Sequence, residues 1–200
     1  YEAWPTEPTK LKAFLAEVRV RRIKGVSVTI PHKQAVIPYL DGLTPRAQAV
    51  GAVNTLFWQD GKLLGDNTDI AGILAPLQAW QQANPDTTLA SALILGAGGA
   101  SRAACAALQA LGIPDIALSN RTGSNAVTEA ADLGLRAVAR DARASNSGQP
   151  WSLILNTTPL GTAGSYDGLS PLPESALPGT RLVFDMVYNP IRTPLLTQAQ

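Results

Sequence analysis

Two hundred residues, 46% hydrophobic and 16% charged, give a globular chain able to bury one large core or two small ones. Sixteen basic against fifteen acidic residues leave a net charge of +1, which gives no electrostatic case for nucleic acid or an anionic membrane. A lone cysteine, Cys105, and a lone histidine, His32, exclude an intrachain disulfide, a cysteine-based metal cluster and a His-x-x-x-His zinc site, so no metal is expected.

The opening "YEAWPTEPTK" lacks the basic region and apolar stretch of a signal peptide, and no apolar run approaches the ~20 residues of a spanning helix. The expectation is a cytoplasmic protein. In "PTKLKAFLAEVRV", Leu11, Phe14, Leu15 and Val18 recur at helical spacing, with Thr9 as the expected N-cap and Gly25 as the stop. "GVSVTI" then reads as a buried strand, ended at once by Pro31-His32-Lys33. A lysine after a turn is ordinarily just solvated, so Lys33 needs support from elsewhere in the chain. "LTPRAQAVG" predicts a short helix capped by Thr44, with Pro45 at its first position and Gly51 at its end. "AVNTLFWQDGKLLGDN" predicts a hairpin turning at Asp60-Gly61. A longer helix follows, with Ile70, Ile73, Leu74 and Leu77 on one face, and the polar "ANPDTT" marks a boundary between domains 1–83 and 84–200.

Beyond that break the pattern changes. "LASALILGAGGASRAACAALQALG" is an apolar strand, a glycine turn and an alanine-rich helix, followed by the strand "DIALSNRT" and the helix "SNAVTEAADLG". "WSLILNTTP" and "TRLVFDMVY" supply two more apolar strands. Strands alternating with helices imply a parallel, doubly wound sheet. The fold class expected is α/β: an N-terminal α/β substrate domain, then a Rossmann-type dinucleotide-binding domain.

Gly96-Ala97-Gly98-Gly99-Ala100 sits between a strand and a helix, the context in which a glycine loop carries a pyrophosphate. Glycine at 96 permits the tight turn, Gly98 lets the backbone approach the phosphates, and the helix amides meet their charge. NAD sites place Asp or Glu at the end of the next strand for the ribose 2′-hydroxyl. Here that strand ends in Asn120, Arg121 and Thr122. A guanidinium can pair with a 2′-phosphate, so NADP is the expected cofactor.

"GVSVTIPHK", "GAVNTL", "GKLLGDNTDIAG", "LILGAGGASR", "NRT", "NTTPLGT" and "DMVYNP" stand in an order and spacing that resemble the shikimate dehydrogenases, from about Trp4 to Leu196. The pairing of "VTIPHK" with "NTD" is the specific part. The resemblance implies NADP-dependent interconversion of 3-dehydroshikimate and shikimate, within chorismate and aromatic amino-acid biosynthesis. It implies Lys33 and Asp69 as the catalytic pair. Thr29, Asn54 and Tyr188 are implied as further substrate contacts, Asn120, Arg121 and Thr122 as adenosine-phosphate contacts, and Met186 beside the nicotinamide. The chemistry suits these types. Reducing a ring ketone needs a hydride on carbon and a proton on oxygen, and an ammonium can supply the proton. Asp69 falls in the first turn of its helix, where the dipole favours its ionised form. Asn and Thr read a polyol through its hydroxyls. His32 and Cys105 are expected to be packing residues, and Trp4, Trp58, Trp80 and Trp151 are given no functional part.

The chain departs from the family's pattern in ways that set further expectations. It opens after the family's first strand and Ser-x-Ser loop and stops before its C-terminal helices, so it reads as a fragment of a longer protein. Ser27 stands where the family usually has Asn, and Asn125 where many members carry a second basic residue, which softens the preference for NADP. Two alternatives stay open: a quinate/shikimate dehydrogenase using NAD or NADP, and a truncated relative that binds the dinucleotide without turnover. The expected partner is a small molecule, shikimate or 3-dehydroshikimate, and a homodimer is left open.

Overall fold

The computed structural model describes residues 2–200, which divide into two compact units, one up to Ile70 and one from Ala71 to Gln200.

In the first unit a 3₁₀ turn, Pro8–Lys10, leads into helix α1 (Leu11–Val20), which buries Leu11, Leu15 and Val18 as its spacing requires. Thr9 lies inside that turn and caps nothing. The helix stops through Ile23 N–H to Val18 C=O (3.0 Å), with Arg22 at φ 52° taking the left-handed position. Gly25, expected to close the helix, instead opens strand β1 (Gly25–Ser27). This strand is shorter and less buried than its alternation suggests. It pairs antiparallel with β3 (Thr55–Gln59) through Gly25–Phe57, Val26–Leu56 and Ser27–Thr55, at the edge of its sheet. Val28 N–H to Asn54 C=O (2.7 Å) is the last link, and Ile30 is 62% exposed. The pairing ends where β3 begins, so there is nothing to extend the strand to Ile30.

Helix α2 (His32–Ala35) follows, then strand β2 (Gly42–Leu43) and helix α3 (Pro45–Val50). The capping of α3 is the one expected: the Thr44 hydroxyl accepts from Ala47 N–H, Pro45 leads and Gly51 ends it. β3 and β4 (Lys62–Asp66) form the hairpin, with Asp60 and Gly61 both at positive φ, as a two-residue turn matched to strand twist demands. The sheet order is β1-β3-β4-β2. Its core joins Leu11, Leu15 and Val18 to Val36, Ala47, Val53, Leu56 and Leu63. Helix α4 (Asp69–Ala83) comes next. It ends at the polar break read as the domain boundary, whereas the compact units divide earlier, after Ile70 in its first turn.

The second unit holds five parallel strands in the order β7-β6-β5-β8-β9. These are β5 (Ser91–Leu95), β6 (Asp115–Ser119), β7 (Arg136–Ala137), β8 (Leu153–Asn156) and β9 (Leu182–Asp185). Helices α5 (Gly99–Ala110) and α6 (Gly123–Leu133) connect the first three. Every residue of β5 is buried, and α5 buries Ala103, Ala104, Cys105, Ala107 and Leu108. The order reverses at β5, so the crossovers run outward from it in opposite directions; α5 and α6 make those toward β7, and the 3₁₀ turns Arg140–Ala142 and Glu174–Ala176 lie in the connections to β8 and β9. This is the doubly wound arrangement expected. Trp151 is 1% exposed, and its Nε1 donates to Arg143 C=O (3.0 Å). The two-residue strand β7 and a final helix, α7 (Pro194–Gln198), went unread in the sequence; Thr193 caps α7 as Thr44 caps α3. Among the described residues, no helix is long and apolar enough to cross a membrane, and no cluster of His, Cys, Asp and Glu could hold a metal.

Candidate active site

Lys33 lies in the first turn of α2, not at the end of a strand, and the turn at Thr29–His32 places it there: His32 N–H donates to Thr29 C=O (2.9 Å). Val53 N–H donates to Lys33 C=O (2.7 Å), fixing this backbone against the entry to β3. The Lys33 ammonium donates to Asp69 Oδ2 at 2.6 Å, the two side chains being only 14% and 18% exposed. The other oxygen, Oδ1, accepts from Asn54 Nδ2 (2.8 Å). A cation from α2, a carboxylate from α4 and an amide from the loop before β3 therefore meet at one point.

Asn54 is held as firmly as it holds. Its Nδ2 also donates to Thr68 Oγ1 (2.9 Å), and its Oδ1 accepts from Thr68 N–H (3.0 Å) and Thr55 Oγ1 (2.9 Å). Asn67, fully buried, accepts from Asp69 N–H (3.0 Å) and donates to Ala52 C=O (3.0 Å), so it sets the start of α4. Below it, Asp66 accepts from Arg46 at both oxygens, from Thr44 Oγ1 (2.6 Å) and from Asn67 N–H (2.8 Å). The Arg46 guanidinium above all, with Thr44 and Asn67 against the opposing effect of burial, lowers the Asp66 carboxyl to about 2.

Of the other expected substrate contacts, Thr29 is exposed one turn before Lys33, and Tyr188 is 87% exposed after β9. His32 is tied by Nε2 to Thr6 C=O (2.7 Å), in keeping with a packing part. Cys105 is 1% exposed, and burial pushes its thiol up to about 11, which suits packing and not a nucleophile.

The glycine loop follows β5 directly. Gly96 has φ 120°, and a Cβ there would come within 2.5 Å of Thr157 Oγ1, so no other residue fits. At Gly98 a Cβ would meet nothing within 4 Å among the described residues, leaving the backbone open to approach. Gly98 N–H itself is taken by Ser101 Oγ (2.7 Å), whereas the amides of Gly99 and Ala100, in the first turn of α5, are among those with no acceptor among the described residues. Ala97 is half-buried beside the cluster of Leu118, Ala126 and Ala130. After β6, Asn120 Nδ2 donates to Thr122 C=O (3.3 Å), while Arg121 is exposed and makes no hydrogen bond or ion pair among the described residues. Met186 N–H donates to Asn156 C=O (3.1 Å). An open glycine, free amides on a twelve-residue helix and an unpaired guanidinium fit a phosphorylated dinucleotide.

Residues 1–56 match the family model described as the shikimate dehydrogenase substrate binding domain. Over 200 residues the chain is 44% identical to the shikimate dehydrogenase (NADP(+)) of Maridesulfovibrio salexigens, covering all of this chain and 71% of that one. The same enzyme of Oleidesulfovibrio alaskensis is 47% identical, again over all of this chain and 70% of its own. The chain belongs to the shikimate dehydrogenase family. Among solved structures, shikimate 5-dehydrogenase from Thermus thermophilus, in complex with NADP(H) and shikimate, aligns with a TM-score of 0.77 at 40% identity, covering all of this chain and 71% of that one.

For a shikimate dehydrogenase the sequence reading brought out Lys33, Asn54 and Asp69, which the fold brings together. It passed over Thr68, Asn67, Asp66, Arg46 and Thr44, which hold them. One signal was present: an asparagine two residues ahead of a helix start, as in Asn67-Thr68-Asp69, is the pattern of a side chain accepting from the backbone two residues on. The Arg46–Asp66 pair, twenty residues apart, carries no such local mark.

Proposed function

We propose that this chain interconverts 3-dehydroshikimate and shikimate with NADP, and that Lys33 and Asp69 act at the reacting oxygen. The observation that carries the reading is the Lys33–Asp69–Asn54 constellation, set in a chain 44–47% identical to shikimate dehydrogenases. In the direction of reduction, the Lys33 ammonium gives a proton to the ketone oxygen, and in the reverse direction the amine takes it back from the hydroxyl. Asp69 keeps Lys33 in place through Oδ2 and offers its remaining lone pairs to a ring hydroxyl. Asn54 fixes the carboxylate plane through Oδ1. Thr29 presents its hydroxyl to the polyol. When bound, the cofactor would supply the hydride as NADPH for the reduction and accept it as NADP+ in the reverse direction. Gly96–Ala100 would hold its pyrophosphate at the start of α5, Asn120, Arg121 and Thr122 would hold the adenosine 2′-phosphate, and Met186 would contact the nicotinamide. No carboxylate follows β6 to favour a bare 2′-hydroxyl, which supports NADP over NAD. The reaction belongs to aromatic amino-acid biosynthesis, in the cytoplasm.

The test is Lys33→Ala. Turnover should fall by ~10²-fold or more, with NADP affinity by calorimetry within about twofold of the parent. Undiminished turnover would overturn the assignment of Lys33.

A further inference from the structure

Helices α5 and α6 are joined near the glycine loop by a buried polar link that the reaction itself does not use. Glu129 on α6 is 8% exposed and turns its carboxylate toward α5. Oε1 lies 3.2 Å from Ser101 Oγ, and Oε2 accepts from Arg102 Nη2 (3.0 Å). Ser101, fully buried, also accepts from Gly98 N–H (2.7 Å) and lies 2.6 Å from Gly98 C=O. Arg102 continues outward to Asp132 Oδ2 (2.9 Å). A single hydroxyl thus touches both backbone groups of the glycine at the loop's centre and the carboxylate of the neighbouring helix.

The placement of these groups gives the link a consequence. Ser101 and Arg102 stand in the first turn of α5, which starts at Gly99. Glu129 stands two turns into α6, whose N-cap is Thr122, next to Arg121. The loop that meets the pyrophosphate and the loop that meets the 2′-phosphate are therefore held in register through one carboxylate. Resting on the dinucleotide reading above, we infer that Glu129 is a positioning residue for NADP: it sets the Gly98 peptide through Ser101 and fixes the spacing of the two phosphate-binding loops. A rigid ligand that bridges both loops feels an error in that spacing, whereas a ligand held by one loop does not.

The experiment compares Glu129→Leu, Ser101→Ala and Glu129→Gln, each titrated calorimetrically with NADP and with adenosine 2′-monophosphate, which carries the 2′-phosphate and no pyrophosphate. Glu129→Leu and Ser101→Ala should weaken NADP about tenfold, the scale of a charge-assisted hydrogen bond, with the monophosphate within about twofold of the parent. Glu129→Gln keeps an acceptor for Ser101 and leaves Arg102 its Asp132 partner, so NADP affinity should stay within about threefold. Equal losses for both ligands would mean a general weakening of the unit and would overturn the inference, as would unchanged NADP affinity in Glu129→Leu. A parent protein that binds neither ligand would overturn the dinucleotide reading, and this inference with it.

Discussion

Replacing Asp66 by Asn should reduce stability in a way that fades as the solution is acidified. In the folded chain Asp66 accepts from Arg46, Thr44 and Asn67, and its carboxyl falls from 3.8 to about 2, so the folded form favours the ion. A group whose pKa is depressed by folding adds stability above its unfolded pKa and loses it as the pH falls through the folded one. Each pH unit of that depression is worth about 1.4 kcal/mol, giving about 2 kcal/mol at neutral pH. Arg46 is 49% exposed, and solvent screening on that side trims the expectation to about 1–2 kcal/mol. Urea unfolding of parent and Asp66→Asn, followed by circular dichroism, should show this gap at pH 7 and roughly half of it near pH 3. The neutral hydrogen bonds that Asn also loses contribute equally at every pH, so the change of the gap with pH isolates the charge. A gap constant from pH 7 to pH 3 would refute the assignment of Asp66 as a strongly paired carboxylate.

Two further outcomes are expected. Arg121→Ala should weaken NADP by about tenfold to a hundredfold while leaving NAD nearly unchanged, since the guanidinium has no partner among the described residues to lose; equal losses for both cofactors in calorimetry would show that Arg121 does not read the 2′-phosphate. Gly96→Ala should cost about 1–3 kcal/mol in urea unfolding, because φ 120° is strained for alanine and its methyl would press on Thr157; a variant as stable as the parent would mean that the turn after β5 relaxes freely.

What could be read from the sequence was what neighbouring residues decide. Thr44-Pro45 and Gly51 bracket a helix, Asp60-Gly61 turns a hairpin, and the glycine loop lies between a strand and a helix, all through contacts a few residues apart. The same Thr-Pro signal at Thr193-Pro194 was available and passed over. What could not be read depended on distant partners. The length of β1 is set by where β3 starts, about thirty residues on, and the apolar alternation through Val28 and Ile30 hid this. Lys33 was expected at the end of that strand and lies in α2 instead, since the turn before α2 takes the place of the strand's last residues. The network under Asp69 joins positions up to twenty-two residues apart, and no local pattern marks Arg46 or Thr44 as belonging to it.

On the function proposed above, the saturation of Asn54 and Asp69 bears on which ring polyols the site would tell apart. A pocket rejects an analogue strongly when a missing hydroxyl would strand a buried polar group without a partner. Here Asn54 has both amide protons engaged and two donors on its oxygen, and each Asp69 oxygen already accepts a bond. A ligand lacking a hydroxyl at this point leaves no orphan behind, so the penalty is only the net worth of one exchanged hydrogen bond, about 1 kcal/mol. Discrimination falls instead to groups with free valences. The Thr29 hydroxyl makes no hydrogen bond among the described residues and is exposed. On the function proposed above, a change at Thr29 is the route by which a chain of this family would alter its choice of ring substituent while Lys33 and Asp69 stay as they are.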